Sequence, residues 1–326
     1  MLFLDIIYII IGVALVLIGA DRLTEGASSL ARRFGVPEIV IGLTIVACGT
    51  SAPEFFVSLM SALNDTPGMA VGNVVGSNIM NTMLIVGCAA MVAPMVISPS
   101  TVRKDIPFAV GASVLLLLLT LDADVSRFDG IILLLGFVVF MAYTLWQARK
   151  SLSPALSEGK GSKEPVMNAP SSGGSKVKAP WLDALWIILG LAGLVFGSNL
   201  FVGSASNVAS SFGVSQGVIG LTIVAGGTSL PELATSVVAA RKGQSAIAIG
   251  NVIGSNVFNI LLILGATAAI SPLQMEGITM LDLGVMLGSI FLVWLFSFTR
   301  YTVERWEGAV LFIGYMAYLA WLLSNL

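Results

Sequence analysis

Histidine is absent from the 326 residues, and only 10% of them are charged. The lack of histidine excludes His-based proton relays, Ser-His-Asp catalysis and most zinc and haem chemistry. With 56% hydrophobic residues and so few charges, a soluble protein of this size could not cover its surface, so apolar side chains must face lipid. The net charge of −2 gives no indication of a nucleic-acid partner.

Cysteine is also scarce. Cys48 and Cys88 both lie in apolar runs, which predicts small buried side chains instead of a disulfide or a redox pair. The N-terminus lacks the basic segment and small-residue cleavage site of a signal peptide, so we expect it to form a retained helix.

Long apolar segments are abundant, and a membrane-spanning helix needs about 20 such residues. The sequence predicts ten spans, numbered in chain order: 4–32, 37–63, 70–93, 106–121, 130–148, 181–210, 215–240, 246–270, 280–298 and 308–325. Residues 151–180 are rich in Ser, Gly, Pro and Lys and predict a flexible loop. We therefore expect an all-α polytopic membrane protein with two five-helix parts, 1–150 and 181–326.

Basic residues are distributed unevenly between the connections of these ten spans. Fourteen of the 16 Lys and Arg residues fall on one side, Arg127 alone falls on the other, and Arg22 lies within span 1. Because basic residues accumulate in cytoplasmic loops, we expect the 151–180 loop inside the cell and both termini outside the cytoplasm.

The two parts contain an internal repeat. Residues 34–87 match 212–265 without a gap, so that each position of the first segment recurs 178 residues later. Each part has five predicted spans, an odd number, so the second must enter the membrane from the opposite side. Inverted repeats of this kind are typical of secondary transporters, in which two similar halves expose one central site to either side in turn.

Two glutamates lie near the middle of spans 2 and 7. Glu54 ends the segment GTSAPE and Glu232 ends GTSLPE, with apolar sequence on both sides. A charged side chain at this depth costs roughly 2.5–3.5 kcal/mol. No Lys or Arg lies at a similar depth nearby, so the pair predicts a functional site.

A proline precedes each glutamate. Pro53 and Pro231 have no N–H to donate, so the carbonyl four residues earlier loses its helical partner. We expect carbonyl oxygens around Ala47–Thr50 and Ala225–Thr228 to become free for coordination. Irregular backbone at membrane depth is tolerated only where it lines a cavity or is buried in protein.

Spans 3 and 8 carry the segments GNVVGSNIMN and GNVIGSNVFN. Ser77 and Asn81 are four residues apart and share a helix face, as do Ser255 and Asn259. The glycines of these segments also suit close helix packing, so packing and binding remain alternative explanations for them.

All ligand atoms supplied by these motifs are hard oxygens. That set suits Ca²⁺, which takes 6–8 oxygens, and Na⁺ as a competitor, whereas Mg²⁺ prefers to keep its waters. Two carboxylates carry two negative charges, which one Ca²⁺, sodium ions or protons would neutralise by turns. Such competition is the physical basis of antiport.

At these residues the sequence resembles the sodium/calcium exchanger family of the cation/calcium-exchanger superfamily. The GTSxPE and GNVxGSNxxN segments look like its two α-repeats, and a ten-helix length is similar to that of its prokaryotic members. Proton/calcium exchangers usually carry a GNxxE-type signature at GTSxPE, so the resemblance favours sodium as the counter-ion.

The resemblance also implies roles for individual residues. Glu54 and Glu232 would be calcium ligands, and Thr50 and Thr228 would contribute backbone carbonyls. Asn81 and Asn259 would line the middle of the site, although many relatives place an acid where Asn259 stands. The remaining implied residues are sodium ligands, Ala47, Ser51, Ser77, Ala225, Ser229 and Ser255, and an aromatic residue near the outer sodium site, Phe201.

Taken together, these observations predict a Na⁺/Ca²⁺ antiporter of the plasma membrane, in a bacterium the inner membrane. The alternatives are a proton/cation antiporter, a passive cation channel and, least favoured without histidine, a membrane-embedded enzyme. We expect no cofactor beyond the transported Ca²⁺ and Na⁺, and no partner other than the bilayer.

Overall fold

The computed structural model describes residues 2–64, 66–157, 180–213, 225–275 and 277–324, most of which are helical. The α-helices of the first part are α1 (Leu2–Phe34), α2 (Glu38–Ile41), α3 (Ala47–Thr50), α4 (Ala52–Leu63), α5 (Pro67–Ile79), α6 (Val86–Val92), α7 (Ile106–Leu119) and α8 (Arg127–Ser157). Those of the second part are α9 (Pro180–Ser211), α10 (Ala225–Thr228), α11 (Leu230–Arg241), α12 (Ser245–Val257), α13 (Gly265–Ile270), α14 (Met280–Ser297) and α15 (Arg305–Ser324).

Four short π-helical segments join some of these helices into longer ones. They are Gly42–Val46 between α2 and α3, Met80–Ile85 between α5 and α6, Thr101–Asp105 before α7, and Phe258–Leu264 between α12 and α13. Such π-bulges occur frequently at functional sites.

Two small antiparallel ribbons tie the parts together. Strand β1 (Met95–Val96) pairs with β4 (Thr302–Val303), and β2 (Asp124–Val125) pairs with β3 (Leu273–Gln274). Each ribbon takes one strand from each part, so the two parts are joined through their connections as well as through their helices.

The described helices include seven that are long and apolar enough to cross a membrane, or eight if the bent pair Glu38–Thr50 and Ala52–Leu63 is one span. The number is below ten partly because α7 has 14 residues. In addition, the first half of predicted span 7 falls in 214–224, outside the described residues. In the predicted 151–180 loop, α8 extends to Ser157, and 158–179 also lie outside them.

The interior of the molecule is formed by predicted spans 3 and 8. The apolar window of Ser245–Ile270 is 94% buried, whereas that of Leu2–Phe34 is 17% buried. Apolar sequence therefore marks both the core and the lipid-facing surface, which explains one wrong prediction: Cys48 is exposed, and Cys88 is half-buried.

The two longest helices, α1 and α9, pack backbone against backbone. A Cβ on Gly19 would lie 2.7 Å from the carbonyl oxygen of Gly190, and one on Gly12 would lie 2.8 Å from that of Gly197. Only glycine permits this approach, so α1 and α9 form one closely packed pair.

Candidate functional site

Predicted spans 2 and 7 break at their serine. The helix pair around Ser51 is bent by 46°. Ser51 has φ −81° and ψ 6°, and Ser229 has nearly the same angles, −88° and 7°. Pro53 and Pro231 lie in the first turn of the helix that follows, where no N–H is needed. The prolines thus start new helices at the predicted bends.

Each glutamate lies in the first turn of the helix after its break. Glu54 is 0% exposed on α4, and Glu232 is 1% exposed on α11. A helix N-terminus carries partial positive charge, so this location favours a carboxylate. Both acids therefore point into protein, as the sequence predicted, and not toward lipid.

The serine at each break bonds to the glutamate of the other part. Ser51 Oγ donates to Glu232 Oε1 at 2.9 Å, and Ser229 Oγ donates to Glu54 Oε1, also at 2.9 Å. Ser255 Oγ donates to the same oxygen of Glu232 at 3.5 Å. These reciprocal bonds bring the two GTSxPE motifs into one cluster.

The amides of spans 3 and 8 join this cluster. Asn81 Nδ2 donates to Asn256 Oδ1 at 3.0 Å, and Asn259 Nδ2 donates to Asn78 Oδ1 at 3.1 Å. Ser77 Oγ lies 3.2 Å from Ser229 Oγ. Because Asn81 and Asn259 use their amide nitrogens in this way, their carbonyl oxygens remain available as acceptors.

Four buried oxygens of the cluster have no hydrogen-bond partner among the described residues: Glu54 Oε2, Glu232 Oε2, Asn81 Oδ1 and Asn259 Oδ1. We call them the four-oxygen cluster. The ion pairs of the described chain all involve other acids. Two buried carboxylates without a basic partner need another source of positive charge.

The backbone carbonyls predicted to be free are only partly so. Ala47 O accepts from Ser51 N at 3.0 Å, and Gly227 O accepts from the hydroxyl of Ser198 on α9. Thr50 Oγ1 donates across to Asn251 Oδ1 at 3.0 Å.

The other predicted residues lie at the second break and on α9. Ala225 and Thr228 are the two ends of α10, directly before Ser229. Phe201 packs its backbone against Gly12 of α1, which places it on the α1–α9 pair.

Four asparagines were not among the predicted ligands and yet organise the site. Asn78 and Asn256 hold the amides of the four-oxygen cluster. Asn73 Nδ2 donates to the backbone carbonyl of Glu54 at 3.1 Å, and Asn251 Nδ2 donates to that of Glu232 at 3.4 Å. The repeat contained the signal, since each asparagine recurs 178 residues later in the same motif.

With this geometry established, comparison with known proteins gives the family. Residues 4–146 and 182–324 match the description of the sodium/calcium exchanger protein family. The chain belongs to that family. Its two matched segments correspond to the two parts on either side of the 151–180 segment.

Individual relatives cover almost the whole chain. The chain is 36% identical to the putative antiporter CaxA of Alkalimonas amylolytica, over 98% of each chain. It is 38% identical to the inner membrane protein YrbG of Escherichia coli (strain K12), over 96% of this chain and 95% of the relative.

A solved structure of the sodium-calcium exchanger NCX_Mj, soaked with zero Na⁺ and Ca²⁺, superimposes with a TM-score of 0.83. The two chains are 30% identical, and the match covers 99% of this chain and 100% of that one. The chain is thus a multi-pass membrane protein with the fold of an exchanger.

Proposed function

We propose that this protein is a secondary antiporter that exchanges Na⁺ for Ca²⁺ at the four-oxygen cluster. The observation that carries the proposal is the set of four buried oxygens, two of them carboxylate, without partners in the described chain. One Ca²⁺ would neutralise the two carboxylates, and Na⁺ would replace it by the same oxygen chemistry. The family match and the names of the antiporter CaxA and the exchanger NCX_Mj support this choice of ions.

The proposed ligands divide into three groups. Glu54 and Glu232 bind Ca²⁺ directly, while Thr50 and Thr228 add backbone oxygens. Asn81 and Asn259 line the middle of the site. The sodium positions use the carbonyls and hydroxyls on either side: Ala47, Ser51, Ser77, Ala225, Ser229 and Ser255.

The proposed architecture is ten spans in two inverted five-helix repeats, 1–150 and 181–326, joined by the 151–180 loop. The repeat with its offset of 178 residues, the odd number of spans in each part and the two similar breaks support it. The distribution of Lys and Arg supports a cytoplasmic loop and both termini outside the cytoplasm. We place the protein in a bacterial inner membrane, as the name of YrbG supports.

Alternating access follows from this arrangement. The close packing of α1 on α9 makes this pair a candidate for a rigid moving element. Ser198 of α9 contacts the break at Gly227, so movement of the pair would reach the site directly. Exchange of three Na⁺ for one Ca²⁺ would move one net charge, worth about 2.3 kcal/mol per 100 mV.

Reconstituted transport tests the proposal. Liposomes loaded with Na⁺ and diluted into choline medium with ⁴⁵Ca²⁺ are expected to accumulate the label, and liposomes without a Na⁺ gradient are not. With pH clamped, uptake driven only by a proton gradient would instead support a proton antiporter. Uptake that needs no counter-ion would support a channel. Either result would contradict the proposed exchange.

A further inference from the structure

A second cavity lies apart from the four-oxygen cluster, at the ends of α2, α7, α8 and α12. Its volume is about 360 Å³, and its walls include Glu38, Asp105, Thr144 and Gln147. None of the proposed central ligands lines it. On the orientation proposed above, this end of the molecule faces the cytoplasm.

Asp105 is the acid that the cavity leaves without a counter-charge. It is 4% exposed, and no Lys or Arg of the described chain lies within ion-pair distance of it. Its carboxylate accepts a long bond from Gln147 Nε2, at 3.4 Å, and one from Thr101. Burial raises its pKa to about 6, so the group is mostly ionised at neutral pH. Lys104, the nearest basic neighbour, is itself exposed.

The other acid on the cavity wall is already engaged. Glu38 Oε1 accepts from the hydroxyl of Ser28 and lies 3.9 Å from Arg32 Nη1. The cavity therefore presents one negative charge that the protein does not balance.

Thr144 supplies a second available oxygen. The side chain is 1% exposed, and its hydroxyl has no partner among the described residues. A hydroxyl buried without a hydrogen bond costs free energy, so its position against a cavity indicates that something in the cavity accepts or provides that contact.

The second part of the chain shows that this arrangement is not required by the fold. Asp282 occupies the corresponding start of α14, and its carboxylate is fully used. It accepts from Thr279 N at 2.8 Å, Thr279 Oγ1 at 2.7 Å and Tyr318 OH at 2.8 Å. The acid of the second part thus caps a helix, whereas Asp105 follows a π-helical segment and borders open space.

We propose that the cavity binds one alkali metal cation, Na⁺ or K⁺, through Asp105, Thr144 and Gln147 together with water. A single carboxylate matches a single positive charge, whereas a divalent ion would leave one charge unbalanced. The oxygens are of the hard type that such ions take. A water occupies about 30 Å³ in the liquid, so the cavity has room for an ion with part of its hydration shell.

Anomalous diffraction from crystals soaked in Tl⁺, a heavy analogue of the alkali ions, tests this site. The expected result is a Tl⁺ peak beside Asp105 in the wild type that is absent in Asp105→Asn. Thr144→Val keeps the shape of the side chain and loses no hydrogen bond of the protein, so it tests the site even if Asp105→Asn fails to fold. Its expected effect is roughly a fivefold loss of Tl⁺ affinity. Asp122→Asn, an exposed change outside the cavity, is the control and is expected to keep the peak.

Competition then identifies the ion. Na⁺ and K⁺ are added separately at fixed Tl⁺, and the natural ligand is the one that removes the peak at the lower concentration. Three results would overturn the proposal: no peak in the cavity while the central cluster is occupied, an undiminished peak in both Asp105→Asn and Thr144→Val, or displacement by neither ion. An occupied cavity beside an empty central cluster would instead contradict the proposed function alone.

Discussion

The centre of the molecule is alike in both parts, and its ends are not. At the centre, Ser51 and Ser229 bond to opposite glutamates at the same distance, 2.9 Å. At the end proposed to face the cytoplasm, Lys242 Nζ lies 2.7 Å from Asp21 Oδ1, whereas the positions 178 residues away from these two carry Asn64 and Asn199. Ion ligands that must face either side alternately have stayed equivalent, while the contacts at the ends have diverged.

The largest expected effect comes from the acids of the centre. Glu54→Gln and Glu232→Gln should each abolish Na⁺-driven ⁴⁵Ca²⁺ uptake, because each removes one of the two balancing charges. The loss of Ca²⁺ binding should be about 3 kcal/mol, roughly 100-fold in Kd. Glu304→Gln, at a half-buried position between β4 and α15, is the matched control and should transport normally.

Equal losses in the two glutamine variants would sharpen the comparison. Full activity in either purified variant would remove that acid from the site and break the equivalence of the two parts.

Removal of the serine hydroxyls should have a smaller effect. Ser51→Ala and Ser229→Ala each delete a hydrogen bond to a carboxylate, worth about 1.5–3 kcal/mol. We expect the Kd for Ca²⁺, measured by titration calorimetry, to rise by roughly tenfold or more in both. A Kd that changed in only one variant would show that the two crossed bonds are not equivalent in function.

The α1–α9 contact is the next target. Gly19→Ala would place its Cβ 2.7 Å from Gly190 O and 2.8 Å from Leu194 N, so the backbones must separate. Overpacking of this kind costs about 1–3 kcal/mol and should lower the unfolding temperature in detergent. Gly111→Ala on the exposed surface of α7 is the control, and we expect it to be neutral or slightly stabilising. Equal stability of both variants would contradict the close packing.

The smallest effect is expected at the end of the molecule. Lys242→Asn gives the second part the residue found at the equivalent position of the first. The pair with Asp21 has side chains 30% and 46% exposed, so its loss should cost only about 0.2–1 kcal/mol in the same unfolding assay. A larger loss would show that this contact, and not only the centre, determines stability.

The sequence predicted the centre well because the repeat compares the chain with itself. Glu54, Ser77, Asn81 and their counterparts are polar residues retained twice where lipid would favour leucine, and the structure brings them together. The breaks were also predictable, since proline removes a specific donor.

The environment of individual side chains could not be predicted in the same way. Cys48 is exposed although its neighbours are apolar, because in a membrane protein an apolar run does not distinguish core from lipid. The roles of Asn73 and Asn78 depend on contacts between distant helices, which spacing along one helix does not reveal. Asp105 likewise became informative only when its cavity and the different bonding of Asp282 were visible.

Diffraction from crystals soaked in Ca²⁺ tests the central claim most directly. The account predicts one ion held by Glu54 Oε2 and Glu232 Oε2 together, each at about 2.3–2.6 Å. An ion bound by only one of these acids, or an empty four-oxygen cluster at a Ca²⁺ concentration that saturates transport, would contradict it.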